Sequence, residues 1–172
     1  AAFITPDRAY YRLGFRDIAR DTDERTLIAT VLPKDIGAQH TMWLCTPKRY
    51  VLDADSRRVT ARSVSIQRIF YAQALFNSVC IDWLIRFSAS IHVTKSVLMR
   101  VPMPQPTDEE LRGNPVYMEM TRNSLLLSCH YNREKFIPLL ADCGLTEADV
   151  PTTAKQTDML KIRNDVLAAG LY

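Results

Sequence analysis

The segment that most limits what this chain can fold into is Ser65–Ser88. Its interior, IQRIFYAQALFNSVCIDWLIRF, is apolar on nearly every side, and a helix of that kind is buried over most of its surface. Ser65 offers a side-chain oxygen for an N-cap. One helix is therefore predicted here, at the centre of the core. Phe70, Leu75, Trp83, Leu84 and Phe87 are its anchors, each contributing ~1.5–3 kcal/mol on burial. The 172 residues suffice for one domain with a proper core, or a domain plus a helical appendage.

A β element must pack on that helix. In Tyr11–Arg20 the residues Tyr11, Leu13 and Phe15 fall on one side of an extended chain, and Arg12, Arg16 and Arg20 on the other. Gly14 disfavours the helical alternative. A charged turn, Asp21–Arg25, leads to Thr26–Leu32, a β-branched run stopped by Pro33. The two runs read as an antiparallel pair. Lys34–Gln39 reads as a loop and His40–Cys45 as a further short strand. Thr46–Thr60 is mixed, with turns at Thr46-Pro47 and Asp53–Ser56 and a second basic cluster, Arg57, Arg58 and Arg62, around its end.

The clearest boundary is Val101–Pro106, VPMPQP, whose prolines forbid helix and sheet interior. The preceding His92–Val101 carries β-branched residues. The charge balance changes sign at the same place: residues 1–104 hold 15 Lys+Arg against 9 Asp+Glu, and residues 105–172 hold 7 against 10. Beyond it, Thr107 and Glu110 match a capping box. Helical patterns run over about Pro115–Gly144 and Thr153–Ala169, with Pro115 suited to a helix start and Gly144 to a helix end. The expected fold is α+β: a small, mainly antiparallel sheet packed on the central apolar helix and followed by a helical C-terminal tail. The expected division is 1–104 and 105–172.

The search for chemistry is mostly negative. There is no P-loop, dinucleotide fingerprint, HExxH or GxSxG. Cys45, Cys80, Cys129 and Cys143 form no CxxC pair and read as reduced thiols of a cytosolic protein. His40, His92 and His130 are scattered, and Cys129-His130 is no dyad, because sequence neighbours point different ways on a helix. No run approaches the ~18 apolar residues of a membrane span, and the N-terminus lacks the pattern of a signal peptide. The chain begins on Ala1 rather than Met and is expected to be a fragment of a longer protein. What remains is arginine. A guanidinium grips phosphate or guanine with two parallel hydrogen bonds, and a two-stranded ribbon fits the major groove of DNA. Surface ion pairing, worth ~0–1 kcal/mol per pair, is the competing explanation for arginines and carboxylates on a strand.

Four blocks resemble the TaqI-like C-terminal specificity (target recognition) domain of N6-adenine DNA methyltransferases and fused type II restriction–modification enzymes. They are RLGFRDIARDTDERTLIATVLP, with Arg16-Asp17-Ile18-Ala19 and Arg25-Thr26; ALFNSVCIDWLIR (Ala74–Arg86); VLMRVPMP (Val97–Pro104), similar to that family's closing strand; and KIRNDVLAAGLY (Lys161–Tyr172), with Asp165. The resemblance implies a module that binds double-stranded DNA. It also implies an upstream methyltransferase domain in the same polypeptide that uses S-adenosylmethionine. No catalytic, cofactor-binding or metal-binding residue is expected in this fragment. The DNA-binding candidates are Arg16, Arg20, Arg25, Thr26, Lys34, Gln39, His40, Lys48 and Arg49. The first four belong to the matched hairpin, and the rest to the loops that carry target specificity. Removing the Arg16 and Arg20 charges is expected to weaken DNA binding and spare the fold. Two rivals stand beside this reading. A protein-interaction scaffold predicts exposed apolar stripes within Val116–Leu140. A small stand-alone hydrolase predicts a deep pocket near His130 or Cys45.

Overall fold

The Ser65–Ser88 segment folds as two helices, not one. The computed structural model describes residues 5–19, 22–54, 57–88 and 92–172, and in it α1 (Ile66–Phe76) and α2 (Val79–Arg86) meet at Asn77-Ser78. The Ser65 hydroxyl caps α1 as expected, accepting from the Arg68 N–H. Asn77 closes α1, and the Ser78 hydroxyl accepts from the Ile81 N–H to open α2. Asn and Ser side chains compete for backbone groups and favour such caps over a helix interior. The break resets the helical phase. α1 buries Phe70 and Leu75, and α2 buries Ile81, Asp82 and Ile85. Trp83 and Phe87, expected as core anchors, are instead 58% and 74% exposed, their rings 4.7 Å apart edge to face.

The first sheet has the order β2-β1-β3 and is antiparallel throughout. Its centre is β1 (Arg12–Arg16), flanked by β2 (Ala29–Leu32) and β3 (Met42–Leu44). The expected antiparallel pair and the third strand are therefore present, with shorter strands. Arg12 pairs with Leu32 and Phe15 with Ala29 on one edge, and Gly14 with Leu44 on the other. Gly14 is a packing requirement: a Cβ there would lie 2.8 Å from Leu32 Cδ1 and 3.0 Å from Met42 Sδ. Leu13 and Phe15 enter the core, as the alternation demands, but Arg12 on the opposite side is buried too. The mixed stretch after Cys45 forms a separate antiparallel hairpin of β4 (Lys48–Leu52) and β5 (Val59–Ser63).

The β-branched run after residue 91 holds one helical turn, α3 (Lys95–Leu98), opened by the Thr94 hydroxyl. The strand expected over Val97–Pro104 is thus replaced by helix at Val97 and Leu98. The one strand-like contact among the described residues of this region is an isolated bridge between Ile18 and His92. After the prolines come α4 (Asp108–Gly113), with the Thr107/Glu110 capping box, and α5 (Pro115–Tyr131), with Asn114 as N-cap and Pro115 in its first turn. α6 (Arg133–Phe136) and short 3-10 turns follow, ending at Gly144 in the left-handed region (φ 65°). α7 (Ala154–Ala169) starts from a Thr153/Gln156 capping box. α5 lies along α1, and α7 lies along α5 and α2. One cluster of buried apolar side chains runs from Leu13 to Ala168. The protein is α+β, a small antiparallel sheet on a central helix with a helical C-terminal tail.

Candidate nucleic-acid interface

Arg16 and Arg25 of the first hairpin are occupied by the fold. Arg16 donates to the Asp23 carboxylate at 2.8 Å and to the Arg25 carbonyl. Arg25 lies 3.6 Å from Asp165 of α7. Thr26 is fully buried, and its N–H, with that of Leu27, donates to Asp82 Oδ1 at 2.7 and 2.8 Å. Arg86 completes the arrangement: it donates to the second oxygen of Asp82 at 2.9 Å and to the carbonyls of Asp23 and Glu24. The connection between β1 and β2 is therefore a polar strap fastened to α2 and α7. Arg16, Arg25 and Thr26 are brought together there as scaffold, and neutralising Arg16 removes a fold contact. Arg20 lies outside the described residues.

The loop candidates separate into two kinds. Lys34, Gln39 and His40 are exposed on the connection between β2 and β3, with the Lys34 ammonium 5.5 Å from the centre of the Tyr11 ring. Lys48 is buried. It pairs with Asp7 at 3.0 Å, donates to the Thr5 carbonyl and faces the Tyr10 and Tyr50 rings. The hydrogen bond to Asp7 holds its ammonium pKa above the ordinary value. Lys48 thus anchors the base of the β4–β5 hairpin, and a buried cation with a partner has little to offer a ligand.

Arg49, one residue on, points to the opposite face of the strand and is exposed. Its partner across the ladder is Arg62. Two like charges directly opposite each other destabilise a strand pair, and neither arginine has a carboxylate partner among the described residues. Val51 and Thr60 continue that face, and every residue of β5 is exposed. Residues 48–63 hold five Lys+Arg against two Asp, including Arg57 and Arg58 toward the tip. The reverse face carries Tyr50, Leu52 and Val59, which are 54%, 64% and 65% exposed. Sequence reasoning named Arg49 and noted Arg57, Arg58 and Arg62 as a basic cluster. It missed that Arg49 and Arg62 face each other. The signal was the two-residue alternation within the runs Lys48–Leu52 and Val59–Ser63.

The other chemistry is sparse. His130 Nδ1 is bonded to the Pro151 carbonyl at 2.8 Å. Burial pushes the Cys129 and Cys143 thiols up to about 11, which makes them poor nucleophiles. Among the described residues no group of three His, Cys, Asp or Glu side chains could hold a metal ion, and no helix is long and apolar enough to cross a membrane. Tyr131 is the one strongly exposed large apolar residue within Val116–Leu140. Comparison with protein-family models, with curated proteins and with solved structures finds no match for this chain.

Proposed function

We propose that the chain is a sequence-specific duplex-DNA recognition module, the target-recognition part of an N6-adenine DNA methyltransferase or single-chain restriction–modification enzyme. The observation that carries this reading is the β4–β5 ribbon. It is exposed, its strands place Arg49 and Arg62 side by side, and an anionic partner relieves the repulsion between them. Phosphate contacts position such a ribbon, and base contacts in the groove give the specificity. Three of the four sequence blocks support the reading from another direction. Arg16 and Arg25 of the first, Asn77, Asp82 and Arg86 of the second and Asp165 of the fourth hold the strap and the edge of β2 together. These residues then act as scaffold, and the ribbon carries the variable contacts.

On this reading methyl transfer from S-adenosylmethionine belongs to an upstream methyltransferase domain of the same polypeptide, and no residue described here is assigned to that chemistry. The exposed stripe Val79, Trp83 and Phe87 along α2 supports a docked partner domain of that kind.

Anisotropy of a labelled mixed-sequence duplex tests the proposal. Affinity should fall steeply as salt is raised. Replacing Arg49 and Arg62 together by Ala should weaken binding about tenfold or more, and flatten the salt dependence by about one unit of slope for each phosphate no longer neutralised. Both side chains are exposed, so the fold should persist. A double variant that binds duplex with unchanged affinity and slope would remove the ribbon from the interface.

A further inference from the structure

A cleft of about 810 Å³ opens between the outer edge of β2 and helices α1, α5 and α7. It shares no residue with the β4–β5 ribbon. The ladder determines what β2 presents to it. The Arg16 N–H donates to the Ile28 carbonyl at 3.0 Å, and the Leu13 carbonyl is taken by Cys45. Ile28, Thr30 and Leu32 therefore direct their backbone groups to β1, and Ala29 and Val31 direct theirs into the cleft. At Ala29 the Asn77 carboxamide answers both groups: its Oδ1 accepts from the Ala29 N–H at 2.8 Å and its Nδ2 donates to the Ala29 carbonyl at 2.9 Å. A planar group with acceptor and donor side by side thus fits this edge.

Two residues on, the same pair of groups recurs without a protein partner. The N–H and carbonyl of Val31 make no hydrogen bond among the described residues, although Val31 is only 3% exposed. Buried backbone groups are rarely left unpaired. The open edge is also only one residue long: Asn77 covers Ala29, and Pro33 has no N–H. An added β-strand needs a run of such positions. A single planar ligand needs one.

The buried part of the facing wall is uncharged and built from nine-tenths buried side chains: Gln73 of α1, Ser124 and Ser128 of α5, and Asn164 of α7. Both serine hydroxyls donate to Gln73 Oε1, at 2.9 and 3.2 Å. This fixes the amide and leaves Nε2 as a donor with no partner among the described residues. Asn123 donates to Asn164 Oδ1 at 3.1 Å, which leaves Asn164 Nδ2 in the same position. Of the charged side chains at the cleft, Arg25 pairs with Asp165 and Lys161 with Asp158, and Glu24 is exposed. A neutral ligand rich in acceptors matches this lining, and the volume lies in the range of small-molecule sites.

We propose that the cleft binds a nucleobase. Its adjacent acceptor and donor pair with the Val31 N–H and carbonyl, and Gln73 Nε2 donates to a further acceptor on the ring. The base comes either from a free nucleoside or from a single strand. The test titrates 15N-labelled protein with adenosine, guanosine, cytidine and thymidine, and in a second arm with a single-stranded oligonucleotide of the same bases. Ribose and N-acetylalanine methylamide serve as controls. At least one base-bearing probe should shift the Val31 amide and the Gln73 side-chain amide, and ribose should shift neither. The arm that shifts them identifies the source. Gln73→Glu keeps the acceptor for both serines and removes the donor, so it should weaken binding about tenfold. Asn164→Asp makes the same exchange if Gln73→Glu does not fold. The proposal is overturned if no base-bearing probe moves Val31, if the dipeptide analogue moves it and the nucleosides do not, or if the folded variant binds as tightly as the parent.

Discussion

Asp82 carries more of this fold than any charged residue the sequence singled out. One of its oxygens accepts from the N–H groups of Thr26 and Leu27, and the other receives Arg86. It is buried, so no solvent replaces these contacts when the carboxylate is removed. Asp82→Ala leaves two buried backbone donors unpaired. It should cost about 2–6 kcal/mol, taking ~1–3 kcal/mol for each orphaned group. Asp82→Asn, which keeps one acceptor oxygen, should cost less. Urea midpoints at constant slope measure the difference. Equal midpoints for the parent and the alanine variant would mean that the strap is held by its own hairpin and not by α2.

At the scale of elements, the legible parts were those written in local chemistry. The capping box of α4, the proline start of α5, the antiparallel pairing of β1 with β2 and the loop after Pro33 all follow from residues adjacent in sequence. What escaped depends on contacts between distant segments. The break at Asn77-Ser78 is hidden in an apolar run, and it becomes necessary because Asn77 also serves Ala29 across 48 residues. The burial of Thr26 needs Asp82, and the burial of Lys48 needs Asp7. The Arg49–Arg62 pair is half visible, since both arginines stand out in the sequence and only their register does not. Gln73, Ser124 and Ser128 were readable only as polar interruptions of apolar helices. The caps make a further prediction. Glu110 accepts from the Thr107 N–H, and Asp149 from the Thr146 N–H. These backbone bonds hold both carboxyl pKa values below the ordinary 4.5 and 3.8. A depressed folded pKa means that the unfolded chain takes up its proton first as pH falls. The stabilisation is therefore complete above the ordinary value and is lost as pH drops through the folded one. The gap in Tm between the parent and Glu110→Gln should be constant from pH 7 to about 5.5 and should shrink below 4.5. A gap that persists unchanged to about pH 3, beyond the usual carboxylate range, would show that the carboxylate contributes nothing through this bond.

For the whole molecule, the question is what the helical tail does for the sheet. The basic front and acidic tail suggest two parts, yet their contacts interlock. The Phe70 and Phe136 rings are 6.0 Å apart, and Tyr71 and Tyr117 are 5.3 Å apart. Tyr11 donates to the Lys135 carbonyl, and Gln73 receives both serines of α5. Tyr172 reaches back to the Pro102 carbonyl. α1 has the sheet on one side and α5 on the other, so cutting after Pro104 uncovers one face of the central helix. Burying one large apolar side chain contributes ~1.5–3 kcal/mol, and Phe70, Tyr71 and Ile69 all lie on α1. Uncovering Phe70 and Tyr71 forfeits ~3–6 kcal/mol, which reaches the lower end of the net stability of a small domain, ~5–15 kcal/mol. A fragment of residues 1–104 should therefore show no cooperative thermal transition and should bind a hydrophobic dye. Adding residues 105–172 in trans should restore a transition and release the dye. If 1–104 melts cooperatively by itself, the sheet and α1 form an independent unit and the tail is an appendage. The DNA binding proposed for the ribbon could then be tested without it. If it does not, the tail is the far wall of the core, and the duplex binding proposed for the ribbon should disappear with it even though the proposed contacts lie outside the tail.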